Sequence, residues 1–599
     1  MSIEHRLSSG RVTVWLFAAL IVAFAALATR CLYLQYFRNE YYSGLSARQQ
    51  QTVATISPQR GAILDCCGRV LAASEEIQTV FAEPRVLDDP KETASELADV
   101  LDIGAHNICR IITDSENPGF VKIKVGVDAN QAIAARKIHG VGIQSDWERH
   151  YPMGPLATHI VGFTSADNRG LEGVELAYNK DLAGSAGRNI FIADAFRRPI
   201  RLREHDADVT DGVGIILTID ATIQQFVREA LLEQYKNYRA ESAVAIVAEP
   251  KTGAILAMVS LPDYDPANFN TADANSLRNR AITDQFEPGS LIKPMVMGPA
   301  IEDGVVSLKE KIFCENGNYC GKGFGCISEY RNGFGYLTPR EILVNSSNIG
   351  MAKVGQKMGK EKVYQALRNF GFGKETGIDL PGEVSGLLWP PQKWTGYSVT
   401  RIPFGQEITV TAIQLVRAFC ILANGGHPVN MHVVKAVVDN EGNIVKLTQA
   451  PPPLAYCIDP EVAKWLVTDA MVGVVNEGTG KKAKLKKWHV FGKSGTANIA
   501  KVGERGYAEH QYIASFVAGA PVEDPQVIVL VSVRRPDMSL GKGYTGGAIS
   551  APVAGKIIEK TLTYLENSHR LDSLKSRLAA SNPQTRRLFV AEVSGFGAE

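Results

Sequence analysis

The chain has 599 residues, too many for a single hydrophobic core, and its 45% apolar and 21% charged content is that of a folded protein. This excludes a disordered or collagen-like chain. The net charge of +1 removes any electrostatic case for a nucleic-acid partner.

Val12 to Thr29 carries no charge, and its 18 residues span about 27 Å as a helix, close to the thickness of a bilayer's hydrocarbon core. Trp15 and Tyr33 stand near its ends, where amphipathic rings are favoured. We expect a leader over 1–11 and an anchor over 12–34. Arg6 and Arg11 precede the segment and Arg30 and Arg38 follow it, so the charge bias toward a cytoplasmic N-terminus is mild. A cleavable signal peptide is the rival reading, since Ala26-Leu27-Ala28 resembles a cleavage site, but the apolar run is longer than a usual signal core.

Residues 50–215 mix short apolar strands (Ile63, Val70-Leu71, Val121-Lys122-Ile123) with helical patches near 90–101 and 130–137. They hold no cluster of nucleophile, base or metal ligands, which reads as a scaffold. His150 and His159 lack spaced ligand companions and read as structural. From 216 to 568 a new domain is expected, opened by Leu217-Thr218-Ile219-Asp220 and a helix over Ile223–Tyr235. Ala243–Glu249 and Ala254–Ser260 read as strands joined through Pro250-Lys251-Thr252-Gly253. Helical patterns dominate about 290–480. Strands then follow near Trp488–Ile499, Tyr512–Ala520 and Gln526–Val533, with a closing helix over Pro552–Leu565. Two early strands, inserted helices and three late strands make an α+β domain with one antiparallel sheet. Residues 569–599 read as a loosely held tail.

Within this domain, Pro288 and Gly289 break the chain just before Ser290, and an apolar helical run follows. Ser290 and Lys293 then lie one turn apart on one face. A serine hydroxyl is a poor nucleophile until a base removes its proton, and a buried amine whose charge is disfavoured serves as one. The tetrapeptide alone is weak: Ser539-Leu540-Gly541-Lys542 has the same spacing among glycines. Its companions decide. Ser346-Ser347-Asn348 follows 56 residues after Ser290, and Lys493-Ser494-Gly495-Thr496 follows 147 after that. Decoys Ser115-Glu116-Asn117 and Lys251-Thr252-Gly253 lie upstream of Ser290 and cannot complete the ordered set.

These motifs resemble those of the class B penicillin-binding proteins, monofunctional peptidoglycan D,D-transpeptidases. The resemblance extends to Arg60-Gly61-Ala62-Ile63-Leu64-Asp65, Arg149, Tyr151-Pro152, Gly170-Leu171-Glu172-Gly173 and Leu182-Ala183-Gly184. It continues through Asn279-Arg280-Ala281, Gly405-Gln406, Asn424-Gly425-Gly426, Gly478-Thr479-Gly480 and Tyr512-Ile513-Ala514-Ser515-Phe516. Cys66-Cys67 departs from the family pattern, which usually has Arg and a polar residue there. So does Glu407, where glycine is common.

The resemblance implies a pedestal over 50–215 and a β-lactamase-like transpeptidase domain with a five-stranded antiparallel sheet flanked by helices. It assigns Ser290 as nucleophile, Lys293 as base, Ser346 as proton relay, Asn348 as the group holding Lys293 and substrate, and Lys493 as the local positive charge. Ser494, Gly495 and Thr496 would bind substrate, and the backbone N–H groups of Ser290 and Thr496 would form the oxyanion hole. Substrates would be peptidoglycan stem peptides, with β-lactams as inhibitors, and no metal or organic cofactor is implied. Implied partners are a membrane-embedded glycosyltransferase and divisome proteins, at the cytoplasmic membrane with the catalytic domain outside. Phe286-Glu287-Pro288-Gly289-Ser290 and Gly405-Gln406 look more like septal, FtsI-type members than lateral-wall ones. A D,D-carboxypeptidase, a β-lactamase and a non-enzymatic sensor of the same fold remain as alternatives.

Cys314, Cys320 and Cys326 occupy a glycine-rich loop that the resemblance does not explain. Structural zinc sites use four ligands at shorter spacings, and the loop has no histidine. An oxidising compartment permits a disulfide. The expectation is a Cys314–Cys320 bond with Cys326 free, against three reduced thiols.

Overall fold

The computed structural model describes residues 4–581 except 116, 118, 194–198, 331–332, 449–455, 502 and 505. A helix over Glu4–Phe37 contains the apolar segment, and Val12–Phe37 is long and apolar enough to cross a membrane. Its large side chains are exposed, Trp15 at 76% and Phe24 at 65%.

The chain forms two compact units, and their limits cut across the boundary expected at 215/216. The smaller comprises 1–58, 76–146 and 184–211; the larger comprises 59–75, 147–183 and 212–599. In the smaller unit, helices Pro90–Leu101 and Ala105–Thr113 pack Leu97, Leu101, Ile108 and Ile112 onto Val80, Val121 and Ile123 of two strands. Asp89 caps the first of these helices by accepting from the Lys91 N–H, and Pro90 occupies the position where a missing N–H costs nothing.

The larger unit is built on strands β1 (Ser242–Ala248), β2 (Ile255–Leu261), β3 (Phe491–Ala500), β4 (Tyr507–Ala520) and β5 (Val527–Arg534), in the order β2-β1-β5-β4-β3, all antiparallel. The five-stranded sheet matches expectation, and the Lys251 decoy falls on the β1–β2 turn. Both faces are covered, so the central strands are buried runs of mainly apolar residues, broken by Ser515 and Ser532, whose hydroxyls bond to each other. Val529, Val531 and Val533 of β5 face helices α1 (Ala221–Asn237) and α2 (Gly546–Ser581), while Ile528 and Leu530 face helix α3 (Ala412–Ala423) and the interior beyond. The closing helix runs on through 569–581, where a tail was expected; 582–599 lie outside the described residues.

Residues 59–75 and 147–183 explain the scattered N-terminal signature. Glu175, fully buried, accepts from Arg60 Nε at 2.6 Å and Arg149 Nε at 2.7 Å. Arg60 also donates to the Glu175 carbonyl, the Asn168 carbonyl and Asn179 Oδ1. Two cations on one carboxylate satisfy most donors in a buried site, so removing one partner would strand a buried charge, a cost of about 3–5 kcal/mol. His159 is structural as expected: Nε2 lies 2.7 Å from the Ser276 carbonyl, and burial lowers its pKa to about 4.

The cysteine loop corrects the sequence reading. The bond joins Cys320 to Cys326, and Cys314 is the free, fully buried thiol. Asn318–Gly321 and Gly325–Ser328 form a two-stranded hairpin that sets Cys320 directly opposite Cys326, with Cα atoms 4.0 Å apart. Cys314 lies at the loop's base, its sulfur 3.5 Å from Ser347 Oγ. Even spacing of three cysteines conceals which pair a hairpin will face. Non-reducing peptide mapping should recover one peptide pair, Cys320 with Cys326, and alkylate Cys314 only after unfolding. Alkylation of Cys326 in the native, unreduced chain would contradict the pairing.

Candidate active site

Ser290 sits in a single 3₁₀ turn, Gly289–Ile292, that leads into the helix Lys293–Glu302. Gly289 has φ +52°, and a Cβ there would lie 2.9 Å from the Thr496 carbonyl oxygen; a Cβ on Gly495 would lie 2.7 Å from Leu291 Cγ. The two glycines let the serine turn and edge strand β3 touch backbone to backbone. That approach brings the Ser290 and Lys493 motifs, 203 residues apart in the chain, into one cleft.

The third motif arrives by a change of helix. Helix Pro339–Asn345 ends at Ser346, whose φ of 60° and ψ of 40° place a non-glycine residue in the left-handed region. Ser347 caps the next helix, Asn348–Asn369, by accepting from the Gly350 N–H at 2.9 Å, and Asn348 is that helix's first residue. The strained residue caps the first helix, its N–H donating to the Ile342 carbonyl, and turns its hydroxyl toward Lys293 and Lys493.

Lys293 and Lys493 are both fully buried. Lys293 Nζ donates to the Ser346 carbonyl at 2.6 Å, Asn348 Oδ1 at 2.9 Å and Ser346 Oγ at 3.3 Å. Lys493 Nζ donates to the same Ser346 Oγ at 2.9 Å and to the Ser494 carbonyl at 3.0 Å. Two amines thus share one hydroxyl. Burial lowers the pKa of Lys293 to about 7, opposed by the nearby Glu329 carboxylate. Burial, and then repulsion from Lys293, drives that of Lys493 well down. The pair holds one positive charge far more readily than two, and Ser346 Oγ bridges the two amines.

Ser494 Oγ lies 2.6 Å from Thr479 Oγ1, and Thr496 Oγ1 accepts from the Gly546 N–H at 3.2 Å. Ser290, Ser346, Asn348, Ser494 and Thr496 all line one cleft of about 510 Å³. The two lysines lie beneath it and Gly495 forms the contact between turn and strand, so all eight expected site residues converge. Ser539 is elsewhere, its hydroxyl bonded to Asp537 on an exposed turn.

Sequence reasoning missed Glu329. Its carboxylate accepts from Ser347 Oγ at 2.5 Å, the Asn348 N–H at 2.8 Å and the Ile349 N–H at 3.1 Å. It sits at the helix N-terminus, where an anion is favoured, and holds the Ser346–Asn348 corner. It directly follows the disulfide hairpin, and the Ser328 carbonyl accepts from Asn348 Nδ2 at 3.3 Å. An acidic residue in a loop carries no spacing signal. Thr479 was visible only as part of Gly478-Thr479-Gly480. Glu407 takes the role glycine usually has, with φ +62°; its N–H donates to Glu287 Oε1 at 3.0 Å and its carboxylate accepts from Ser398 Oγ at 2.5 Å.

Comparison with known proteins agrees with this geometry. Residues 243–559 match the penicillin binding protein transpeptidase domain, and 55–217 match the penicillin-binding protein dimerisation domain. Stage V sporulation protein D of Bacillus subtilis is 32% identical over 574 residues, 94% of this chain and 87% of that protein. Peptidoglycan D,D-transpeptidase FtsI of Escherichia coli K12 is 31% identical over 559 residues, 91% of each. A crystal structure of a peptidoglycan synthetase from Bifidobacterium adolescentis superposes with a TM-score of 0.70 at 25% identity, covering 86% of this chain and 97% of that one. With both domain types matched over most of its length, the chain belongs to the class B penicillin-binding proteins.

Proposed function

We propose that this protein is a peptidoglycan D,D-transpeptidase working through an acyl-enzyme on Ser290. The observation that carries this reading is the buried Lys293–Ser346–Lys493 group, one turn below Ser290 and beside an open strand edge. In this scheme Lys293, uncharged, takes the Ser290 proton as Oγ attacks the carbonyl of the penultimate D-alanine. The N–H groups of Ser290 and Thr496 stabilise the oxyanion. The proton passes through Ser346 to the leaving amine, and terminal D-alanine departs. Asn348 orients Lys293 and the substrate amide. Ser494 and Thr496 hydrogen-bond the substrate carboxylate while the peptide lies along β3 as an added strand. An amine from a second stem peptide then attacks the ester, restoring the serine and forming the crosslink. Defined donor and acceptor peptides test this: crosslinked product exceeding free acid supports it, and release of D-alanine with hydrolysis alone would identify a carboxypeptidase.

The domain limits 50–215 and 216–568 are proposed as pedestal and catalytic domain, supported by the two domain matches. Val12–Phe37 is proposed as a single anchor in the cytoplasmic membrane, with the catalytic domain outside, supported by its length, hydropathy and exposure. Glycan polymerisation would then fall to a membrane-embedded glycosyltransferase, with divisome proteins as further partners. We place the enzyme in septal synthesis, supported by Phe286-Glu287-Pro288-Gly289-Ser290 and by the likeness to FtsI. A fluorescent fusion should gather at mid-cell before constriction, and depletion should yield filaments. Uniform wall labelling with rounded cells would identify a lateral-wall enzyme instead.

A further inference from the structure

Cys66 and Cys67 stand where the family usually has arginine and a polar residue, and the structure gives the substitution a chemical setting. Their sulfurs lie 3.7 Å apart, and each faces the same oxygen, Asp220 Oδ2, at 3.8 Å and 3.7 Å. Cys66 is half-buried, Cys67 is exposed and Asp220 is buried. We propose that Cys66, Cys67 and Asp220 form a binding site for a thiophilic divalent cation, zinc being the best fit.

The dimensions support this. An ion about 2.3 Å from each of two sulfurs at the tetrahedral angle holds them about 3.8 Å apart, and a sulfur and a carboxylate oxygen about 3.5 Å apart. The observed triangle matches the first distance within about 0.1 Å and the second within about 0.3 Å. A hard cation would want an oxygen-rich set, whereas two sulfurs and one carboxylate select a softer ion. The exposed side of Cys67 leaves the fourth vertex to water.

The ligands are held before any ion arrives. Asp65 Oδ1 accepts from the N–H groups of Cys67 at 2.9 Å and Arg69 at 2.8 Å, closing the turn that carries both thiols. The Cys66 N–H donates to the Ile219 carbonyl at 2.9 Å, tying that turn to the residue preceding Asp220. Arg69 Nη2 occupies Asp220 Oδ1 at 2.7 Å, so the other oxygen is the one presented to the sulfurs, and Tyr564 donates to it at 3.0 Å. Such outer contacts orient a ligand and hold its charge. Asp65 and Asp220 bring two negative charges against the one positive charge of Arg69. Binding would release one proton from each thiol, so the bound site, with two thiolates and a carboxylate around a 2+ ion, carries one negative charge beside that guanidinium. The ion would join the turn at 65–69 to the N-terminus of α1, with Tyr564 of α2 as the outer contact. It lies apart from the cleft and would act on stability, not on acylation.

The full-length chain, purified in detergent with its thiols reduced and its metals removed by a chelator, should be titrated with Co²⁺ as the probe. The expected result is a thiolate-to-cobalt charge-transfer band that saturates at one equivalent, is abolished by Zn²⁺, and accompanies a rise in thermal midpoint with Zn²⁺. Cys66→Ser and Cys67→Ser should each weaken binding by at least about a hundredfold, beyond the effect of losing an outer contact. Both variants should keep wild-type penicillin labelling, which reports folding, and Cys320→Ser should keep the band. The proposal is overturned by a band that persists in the Cys66→Ser, Cys67→Ser double variant, or by its absence from wild type with both thiols free. It is equally overturned if the chain isolated from cells has Cys66 and Cys67 bonded to each other.

Discussion

Ser290→Ala is expected to abolish covalent labelling by penicillin while leaving the thermal midpoint of the protein unchanged. The hydroxyl lies half-buried in the cleft on the turn that abuts Thr496, and the β-carbon that remains fills the same space apart from one oxygen. No cavity opens and no buried donor is stranded, so the folded state has little reason to respond. Acylation, by contrast, requires an oxygen at that position, and neighbouring hydroxyls cannot replace it. Ser346 is committed to the two lysines and Ser494 to Thr479. Ser539→Ala is the matched control, because that Ser-x-x-Lys lies on an exposed turn with its hydroxyl bonded to Asp537, and labelling should be unaffected. Intact-mass measurement after incubation with penicillin reads both variants. An adduct on Ser290→Ala would overturn the assignment of the nucleophile.

Lys293→Arg is expected to slow acylation by at least about a hundredfold, the low end for removing general-base help. Arginine keeps a positive charge and reaches similar acceptors, but it stays protonated and cannot take the serine proton. The wild-type rate should carry the complementary signature in pH. Burial lowers the Lys293 pKa to about 7, so the amine that accepts the proton is depleted as pH falls through that value. The logarithm of the acylation rate should therefore drop with a slope near one below about pH 7 and level off above it. The same shift bears on stability with a definite sign. The unfolded chain binds a proton near the ordinary lysine value of about 10.5, and the folded site releases it near 7. Between these values the unfolded state holds more protons, and stability contributed by this group rises with pH. Stopped-flow acylation across pH 5.5–9 checks the rate. A profile that is flat through pH 7, or an arginine variant within a few-fold of wild type, would place the base elsewhere.

Glu329 shows how far a sequence motif reaches. Ser346-Ser347-Asn348 is legible as a unit, but the group that anchors it comes from a loop whose path follows from the hairpin at 318–328. Nothing in the spacing of Cys314, Cys320 and Cys326 marks that hairpin, and the expected disulfide was wrong for that reason. The joining of segments 59–75 and 147–183 to the larger unit was likewise hidden, because Arg60, Arg149 and Glu175 meet only when separate stretches fold together.

What the sequence determined by itself was whatever is local or ordered along the chain. That includes the apolar segment near the N-terminus, the serine and lysine one turn apart, the order of three motifs, and the apolar runs that become strands of the central sheet. These follow from backbone periodicity and from spacings a few residues long, which a single stretch carries whole. Only the tertiary structure decided that Lys293 and Lys493 share Ser346 Oγ, that burial brings one of them to titrate near neutral pH, and that two thiols face Asp220. Each depends on distances between residues far apart in sequence and on the exclusion of water around them, and both are properties of packing that no local pattern records.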